Sequence, residues 1–181
     1  MRRGVRARST TVLAILREGR IAMAADGQVT IGDAVVKQKA LKTRKAAKHE
    51  VLIGFAGGAA DALALTERLE AKLDEHSGNV RRAAVELAKS WRSDRALRRL
   101  EALLLIGNRD CVLVVSGNGD VIEPDDGIVA VGSGGNYALA AARALADHTR
   151  LGAAEIAEQA LRYAARICIY TNENINVVTL P

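Results

Sequence analysis

Prolines, cysteines and aromatic residues are scarce in this chain, and their scarcity narrows the functions open to it. The 181 residues include two prolines, two cysteines and only 3% aromatic residues, while apolar residues make up 49%. The core must therefore be built from alanine, valine, leucine and isoleucine. With so few aromatic rings, stacking on nucleic-acid bases is a poor explanation for the basic clusters of the chain. No stretch approaches the roughly 18 unbroken apolar residues of a membrane-spanning helix.

Several familiar catalytic and binding motifs are also missing. The chain has no GxxxxGK[ST] sequence, so it should not bind ATP through a P-loop. Its GSGG segment at residues 132–135 matches neither the dinucleotide-binding GxGxxG pattern nor the GxSxG pattern of serine hydrolases. The three histidines are scattered over predicted turns and helix ends, which favours neither a zinc site nor a Ser-His-Asp triad.

The basic character of the chain belongs to its first nine residues. Four of the 26 basic residues lie there without any acidic residue, which leaves 22 against the 21 acidic residues of the whole chain. The remaining basic clusters, residues 37–48 and 92–99, are interpreted as solvated faces or subunit contacts. Residues 1–9 lack the apolar run of a secretory signal. Cys111 and Cys168 are predicted to be buried thiols without a disulfide, which suits the cytoplasm.

The order of the predicted elements indicates an α+β fold. Strands are predicted at residues 10–16, 21–25, 34–45, 51–56, 102–106, 111–116, 121–123, 128–131 and 175–180. Helical periodicity marks one pair of helices from residue 62 to Leu100 and a second pair at residues 137–148 and 153–167. This order fits two stacked antiparallel sheets with a helix pair on each outer side, an αββα four-layer sandwich. We expect one domain at residues 10–181, after a leader, residues 1–9, that is removed.

The strongest candidate for catalysis is Thr10, in the Thr10-Thr11 pair that opens an apolar strand. If the leader is removed, the nitrogen of Thr10 becomes a free amine with a pKa of about 7.7–8.0. Such an amine can take the proton of the residue's own hydroxyl group and activate it as a nucleophile. The interpretation without catalysis is that two threonines merely favour a strand.

Three further residues could complete this chemistry. A cation at Lys42 would lower the pKa of the hydroxyl, and Asp26 could pair with that cation in a partly buried site. Gly57, between a strand and a helix, could direct a backbone N–H group at an oxyanion. Ser133 could hydrogen-bond the amine. Each residue also has a structural explanation, because Asp26 precedes a glycine as in a turn, Lys42 lies in a basic run, and Gly57 could simply end a strand.

Seven segments, taken together, resemble the HslV (ClpQ) family of bacterial proteasome-related peptidases. They are TTV at 10–12, AADGQ at 24–28, GFAGGAAD at 54–61, AVELAK at 84–89, WRSDR at 91–95, GSGG at 132–135 and ICIYTN at 167–172. The resemblance implies an N-terminal-nucleophile fold like that of a proteasome β subunit. It also implies that Thr10 is the nucleophile and that Lys42, Asp26 and Gly57 assist it.

The resemblance further implies partners and a bound ion. Members of the family form a double ring of identical subunits, expected here as two hexamers, which receives unfolded proteins from the hexameric ATPase HslU. They bind a monovalent cation, usually sodium, through backbone carbonyls at the positions of Ala165, Cys168 and Thr171. Two alternatives stay open: a ring subunit that is never processed and never cleaves, and another N-terminal-nucleophile hydrolase that acts on small amides without an ATPase.

Overall fold

The computed structural model describes residues 10–94 and 102–180. The predicted leader and the predicted helical positions Leu97 and Leu100 lie outside these residues. The described part of the chain contains eleven strands and four helices. The strands are β1 (Thr11–Arg17), β2 (Arg20–Asp26), β3 (Val29–Ile31), β4 (Ala34–Lys37), β5 (Thr43–Lys45), β6 (Leu52–Ala56), β7 (Leu103–Gly107), β8 (Val112–Ser116), β9 (Val121–Ile122), β10 (Ile128–Gly132) and β11 (Ile175–Thr179). The helices are α1 (Ala59–Glu75), α2 (Val80–Ser93), α3 (Gly135–His148) and α4 (Ala153–Ala165).

The strands form two antiparallel sheets and one separate hairpin. The first sheet has the order β10-β1-β2-β11, and the second has the order β5-β6-β7-β8-β9. In the first sheet, Leu13 of β1 lies opposite both Ala24 of β2 and Ala130 of β10. The hairpin pairs β3 with β4.

Side chains that alternate along the central strands build three layers of core. On β1, Val12 and Ala14 belong to the cluster between the two sheets, whereas Leu13 and Ile15 pack with α3 and α4. On β6, Leu52 lies between the sheets, whereas alternate residues of the same strand pack with α1 and α2. A strand that is buried on both faces has no side that faces solvent, so apolar residues occupy consecutive positions. This explains the continuous apolar runs in the sequence. The predicted αββα sandwich is confirmed.

One strand was predicted wrongly and one was missed. The predicted strand at residues 34–45 is two strands, because β4 ends at Lys37 and β5 begins at Thr43. Between them, the backbone N–H of Ala40 donates to the carbonyl of Gly27 (2.9 Å), which ties this segment to the turn after β2. Strand β3 has only three residues and was missed. No helix in the described residues is both long and apolar enough to span a bilayer.

The interface between the two sheets leaves no room for a side chain at Gly54. A Cβ atom there would lie 2.5 Å from Met23 Sδ and 2.7 Å from Val12 Cγ1, and both neighbours are fully buried. We expect Gly54→Ala to lower the free energy of unfolding by roughly 1–3 kcal/mol, because overpacking displaces core side chains. Thermal unfolding would measure the loss. Gly152→Ala is the control, since a Cβ atom there meets only Glu155 Oε2 at 3.5 Å; equal stability of the two variants would contradict the prediction.

Candidate active site

Asp26 is the last residue of β2, and its carboxylate is fully buried. One oxygen, Oδ1, accepts hydrogen bonds from the backbone N–H of Thr11 (2.8 Å) and from Lys42 Nζ (2.9 Å). The other oxygen accepts from the backbone N–H groups of Gln28 (2.8 Å) and Asn172 (3.4 Å). A carboxylate can be buried only when its oxygens are satisfied in this way. Asp26 therefore links the end of β2 to the start of β1 and to Lys42.

Lys42 lies in the segment between β4 and β5, with only 8% of its side chain exposed. Besides Asp26, its ammonium group donates to the carbonyl of Gln28 (2.6 Å). Burial lowers the pKa of Lys42 from its ordinary value, and the charge and the hydrogen bond of Asp26 oppose that shift. The structure thus distinguishes Lys42 from Lys39 and Lys45 of the same basic run, both of which are exposed.

Thr10 immediately precedes β1 and lies at the wall of a cavity of about 460 Å³. Lys42 and Gly57 line the same cavity, so three of the predicted site residues meet there and Asp26 joins them through Lys42. Apolar side chains, among them Ile53 and Phe55, form much of the remaining wall. The arrangement can hold an extended apolar segment beside a threonine and a buried cation.

Gly57 follows β6 in a backbone conformation that only glycine adopts readily, with φ at +154°. A Cβ atom at this position would lie 2.8 Å from Phe55 Cζ and 3.0 Å from the Cβ atom of Ala102. Glycine is therefore required both by the conformation and by the space. Gly57 lines the cavity, and its role as the oxyanion donor stays a prediction.

Thr11 is a site residue that the sequence analysis treated only as a strand former. Its side chain is completely buried, and its Oγ1 atom accepts from the backbone N–H of Gly134 (2.8 Å) and pairs with Thr171 Oγ1 (2.7 Å). A Cβ atom on Gly134 would lie only 2.5 Å from that hydroxyl oxygen. Thr11 thus fixes the backbone next to Thr10. A polar residue at a core position of β1 was the signal that could have revealed it.

Comparisons with known proteins identify the family of this chain. A family model described as "Proteasome subunit" matches residues 7–180. The ATP-dependent protease subunit HslV of Syntrophobacter fumaroxidans is 62% identical over 163 residues, which cover 90% of this chain and 91% of that protein. This chain belongs to the HslV family of proteasome subunits. The HslV subunit of Aquifex aeolicus is 57% identical over 166 residues, or 92% of this chain and 94% of that protein.

Solved structures place the HslV fold over nearly the whole chain. Eukaryotic HslV from Trypanosoma brucei superposes with a TM-score of 0.89 at 47% identity, covering 94% of this chain and 98% of that chain. The BPH protein of Thiobacillus denitrificans, solved in complex with epoxomicin, has a TM-score of 0.75 at 25% identity, with 94% and 97% covered. The prediction of a fold like that of a proteasome β subunit is confirmed.

Ser133, the remaining predicted site residue, contacts Thr10 through the backbone. Its N–H group donates to the carbonyl of Thr10 (2.9 Å), and the residue is exposed. The preceding Gly132 has φ at +94°, and a Cβ atom there would overlap the Thr10 carbonyl oxygen. The segment therefore holds the backbone of Thr10 in place. The predicted bond between the Ser133 hydroxyl group and the amine stays a prediction.

The three positions implied for a cation lie at the end of α4 and in the turn after it. Ala165 is the last residue of α4, and the carbonyl of Ala164 accepts from the N–H groups of both Ile167 and Cys168. Helix carbonyls that point beyond the last turn carry partial negative charge, which favours a cation. The Cys168 carbonyl accepts from the N–H of Thr171 (3.0 Å) and keeps a second lone pair. The sodium site implied by the resemblance stays a prediction.

The described residues contain no cluster of metal-ligating side chains and no disulfide. Within residues 10–94 and 102–180, no cluster of three or more His, Cys, Asp or Glu side chains could hold a metal ion. Cys111 and Cys168 are both free and buried, as predicted. Burial also raises the pKa of the Cys111 thiol, which suits a structural residue and not a nucleophile.

Proposed function

We propose that this chain is the peptidase subunit of an ATP-dependent protease and that Thr10 is its nucleophile. The observation that carries the proposal is the meeting of Thr10, Lys42 and Gly57 at one cavity, with the Lys42 ammonium group held by the buried carboxylate of Asp26. The names of the HslV relatives support it, since they are described as ATP-dependent protease subunits.

In the proposed mechanism, removal of residues 1–9 exposes the α-amine of Thr10. The amine takes the proton of the Thr10 hydroxyl group as Oγ attacks the carbonyl carbon of a substrate peptide bond. Lys42, with its positive charge close by, disfavours protonation of the amine. Gly57 donates its N–H group to the oxyanion that forms. The leaving amine takes the proton, and water then hydrolyses the ester on Thr10.

The energy for unfolding substrates comes from a partner in this proposal. The chain has no P-loop, and its relatives are named as ATP-dependent, so we assign ATP hydrolysis to an HslU-type ATPase. We further propose that identical subunits assemble into a double ring of two hexamers in the cytoplasm, where free thiols such as Cys111 and Cys168 persist. Unfolded proteins are the substrates.

We also propose that the backbone carbonyls of Ala165, Cys168 and Thr171 hold a sodium ion. Bound there, the ion would supply positive charge that stabilises the turn between α4 and β11. The backbone of Ala165 does not have a positive φ, which would favour glycine, so alanine can occupy this position without backbone strain. Replacing sodium with tetramethylammonium is expected to lower the thermal unfolding midpoint, and an unchanged midpoint would contradict the ion site.

Intact mass and N-terminal sequencing of the purified protein, followed by labelling with epoxomicin, test the proposed function. We expect a chain that begins at Thr10 and gains the mass of one epoxomicin on that residue, because the probe reacts with both the amine and the hydroxyl group of an N-terminal threonine. A chain that retains residues 1–9 and takes no label would favour a non-catalytic ring subunit. Turnover of peptides that never responds to an HslU-type ATPase would favour a different N-terminal-nucleophile hydrolase.

A further inference from the structure

The side-chain amide of Asn172 joins three segments that surround the candidate site. Its oxygen accepts from the backbone N–H groups of Gly27 (3.2 Å) and Asn174 (3.1 Å). Its nitrogen donates to the carbonyl of Gln38 (2.9 Å). The turn after β2, the segment that follows β4 and the segment before β11 therefore meet at one side chain.

Asn172 also reaches Asp26 through its own backbone. Its N–H group donates to Asp26 Oδ2 (3.4 Å), while Oδ1 of the same carboxylate binds Lys42 Nζ and the N–H of Thr11. One residue thus supports Asp26 directly and the glycine next to it through the side chain. Since Thr11 is bonded to Thr10, this support extends to the backbone of the proposed nucleophile.

The segment at residues 38–42 is held by single hydrogen bonds to several parts of the fold, and one of them comes from Asn172. It lies between β4 and β5, carries Lys42 and contributes Ala40 and Leu41 to the cavity wall. At its end, the Lys42 carbonyl accepts from the backbone N–H of Phe55 in β6 (3.1 Å). The bond from Ala40 N–H to the Gly27 carbonyl (2.9 Å) fixes it at one point. The bond from Asn172 to Gln38 fixes it at a second point, two residues away.

From these contacts we propose that Asn172 is a positioning residue, which holds the 38–42 segment and the end of β2 in the register that places Lys42 beside Asp26. This inference rests on the proposed peptidase function and assigns no contact between Asn172 and substrate. A displacement of about 1 Å in a catalytic group can cost on the order of a hundredfold in rate, so the loss of the bond that holds Gln38 has a measurable effect.

The test compares three variants of the full chain with the wild type, assembled and assayed on a short fluorogenic peptide with an HslU-type ATPase and ATP. Asn172→Ala removes the side-chain hydrogen bonds to Gly27 and Gln38. We expect kcat to fall on the order of tenfold while KM changes little. Asn174→Ala is the matched control, because it lies two residues away, is exposed, and contributes only its backbone N–H group. Its kcat and KM are expected to equal those of the wild type.

Asn172→Asp supplies a second readout, the dependence of kcat on pH. The new carboxylate keeps the oxygen that accepts from Gly27 but places a negative charge near Asp26 and Lys42. Additional negative charge favours the protonated form of neighbouring groups, including the Thr10 amine. The acidic limb of the plot of kcat against pH should therefore move to higher pH. If Asn172→Ala fails to assemble, the pH profile of Asn172→Asp tests the positioning role of Asn172.

The outcomes separate this inference from the function on which it rests. Wild-type protein that neither hydrolyses peptide nor takes an epoxomicin label overturns the proposed function and the inference with it. An active wild type alongside Asn172→Ala with unchanged kcat, or with a change in KM alone, overturns only the inference. Asn172→Asp with a pH profile that superposes on the wild type does the same.

Discussion

Replacing Thr10 with alanine is expected to reduce peptide hydrolysis by about 10⁴-fold or more, because no other group can replace a lost nucleophile. In the proposed mechanism, Thr10 supplies both the attacking oxygen and, after removal of residues 1–9, the amine that takes its proton. The methyl group of alanine keeps the Cβ atom, and the backbone bond from Ser133 N–H to the Thr10 carbonyl remains. Ring assembly should therefore be unaffected. Peptide turnover and size-exclusion chromatography together measure both expectations.

The design of this experiment must separate loss of the nucleophile from loss of processing. Both proteins should be produced from a start codon placed directly before residue 10, so that removal of the initiator methionine exposes the amine in each. Thr10→Ser is the control, since serine keeps the hydroxyl group and the amine, and it should retain part of the activity and take an epoxomicin label. Unchanged turnover in Thr10→Ala would refute the mechanism.

The αββα architecture could be predicted because the central strands are apolar along most of their length and are separated by turns that contain glycine. Apolar runs such as the one in β1 are long enough to be recognised without any partner. The sequence pattern alone does not show that residues 34–45 form two strands instead of one. The course of this segment is set by bonds from Ala40 to Gly27 and from Lys42 to Asp26, which connect residues that are distant in the chain. Local propensity carries no information about such bonds.

The candidate site was predictable where its chemistry depends on residue type. Thr10 and Lys42 follow from the demands of an amine-activated hydroxyl group, and the structure brings both to one cavity with Gly57. Thr11 and Asn172 were missed, since their importance lies in hydrogen bonds to residues far away in the sequence. Thr11 meets Thr171 across 160 positions, and Asn172 meets Gly27 across 145. The polar side chain of Thr11 in an apolar strand was a weak signal, and nothing near Asn172 in the chain distinguishes it from an ordinary turn residue.

Lys42→Met is expected to lower kcat by about 10²–10⁴-fold, the range typical for removal of a group that assists proton transfer. Methionine has a similar length and suits a site where only 8% of the lysine side chain is exposed. Without the ammonium group, the Thr10 amine is protonated more readily and the hydroxyl group loses a neighbouring cation. Asp26 keeps the N–H groups of Thr11, Gln28 and Asn172 as donors, so the chain should still fold.

Lys39→Met and Lys45→Met are the matched controls for Lys42, because they remove the same charge from the same basic run. Both lysines are exposed, and Lys45 forms only a 3.9 Å ion pair with Glu50, which is worth little at a surface. We expect both controls to keep wild-type kcat and thermal stability, whereas Lys42→Met loses activity and some stability with its buried partner Asp26. If all three variants lost activity equally, the net charge of the run would be responsible. The specific geometry at Lys42 would then be irrelevant to the chemistry.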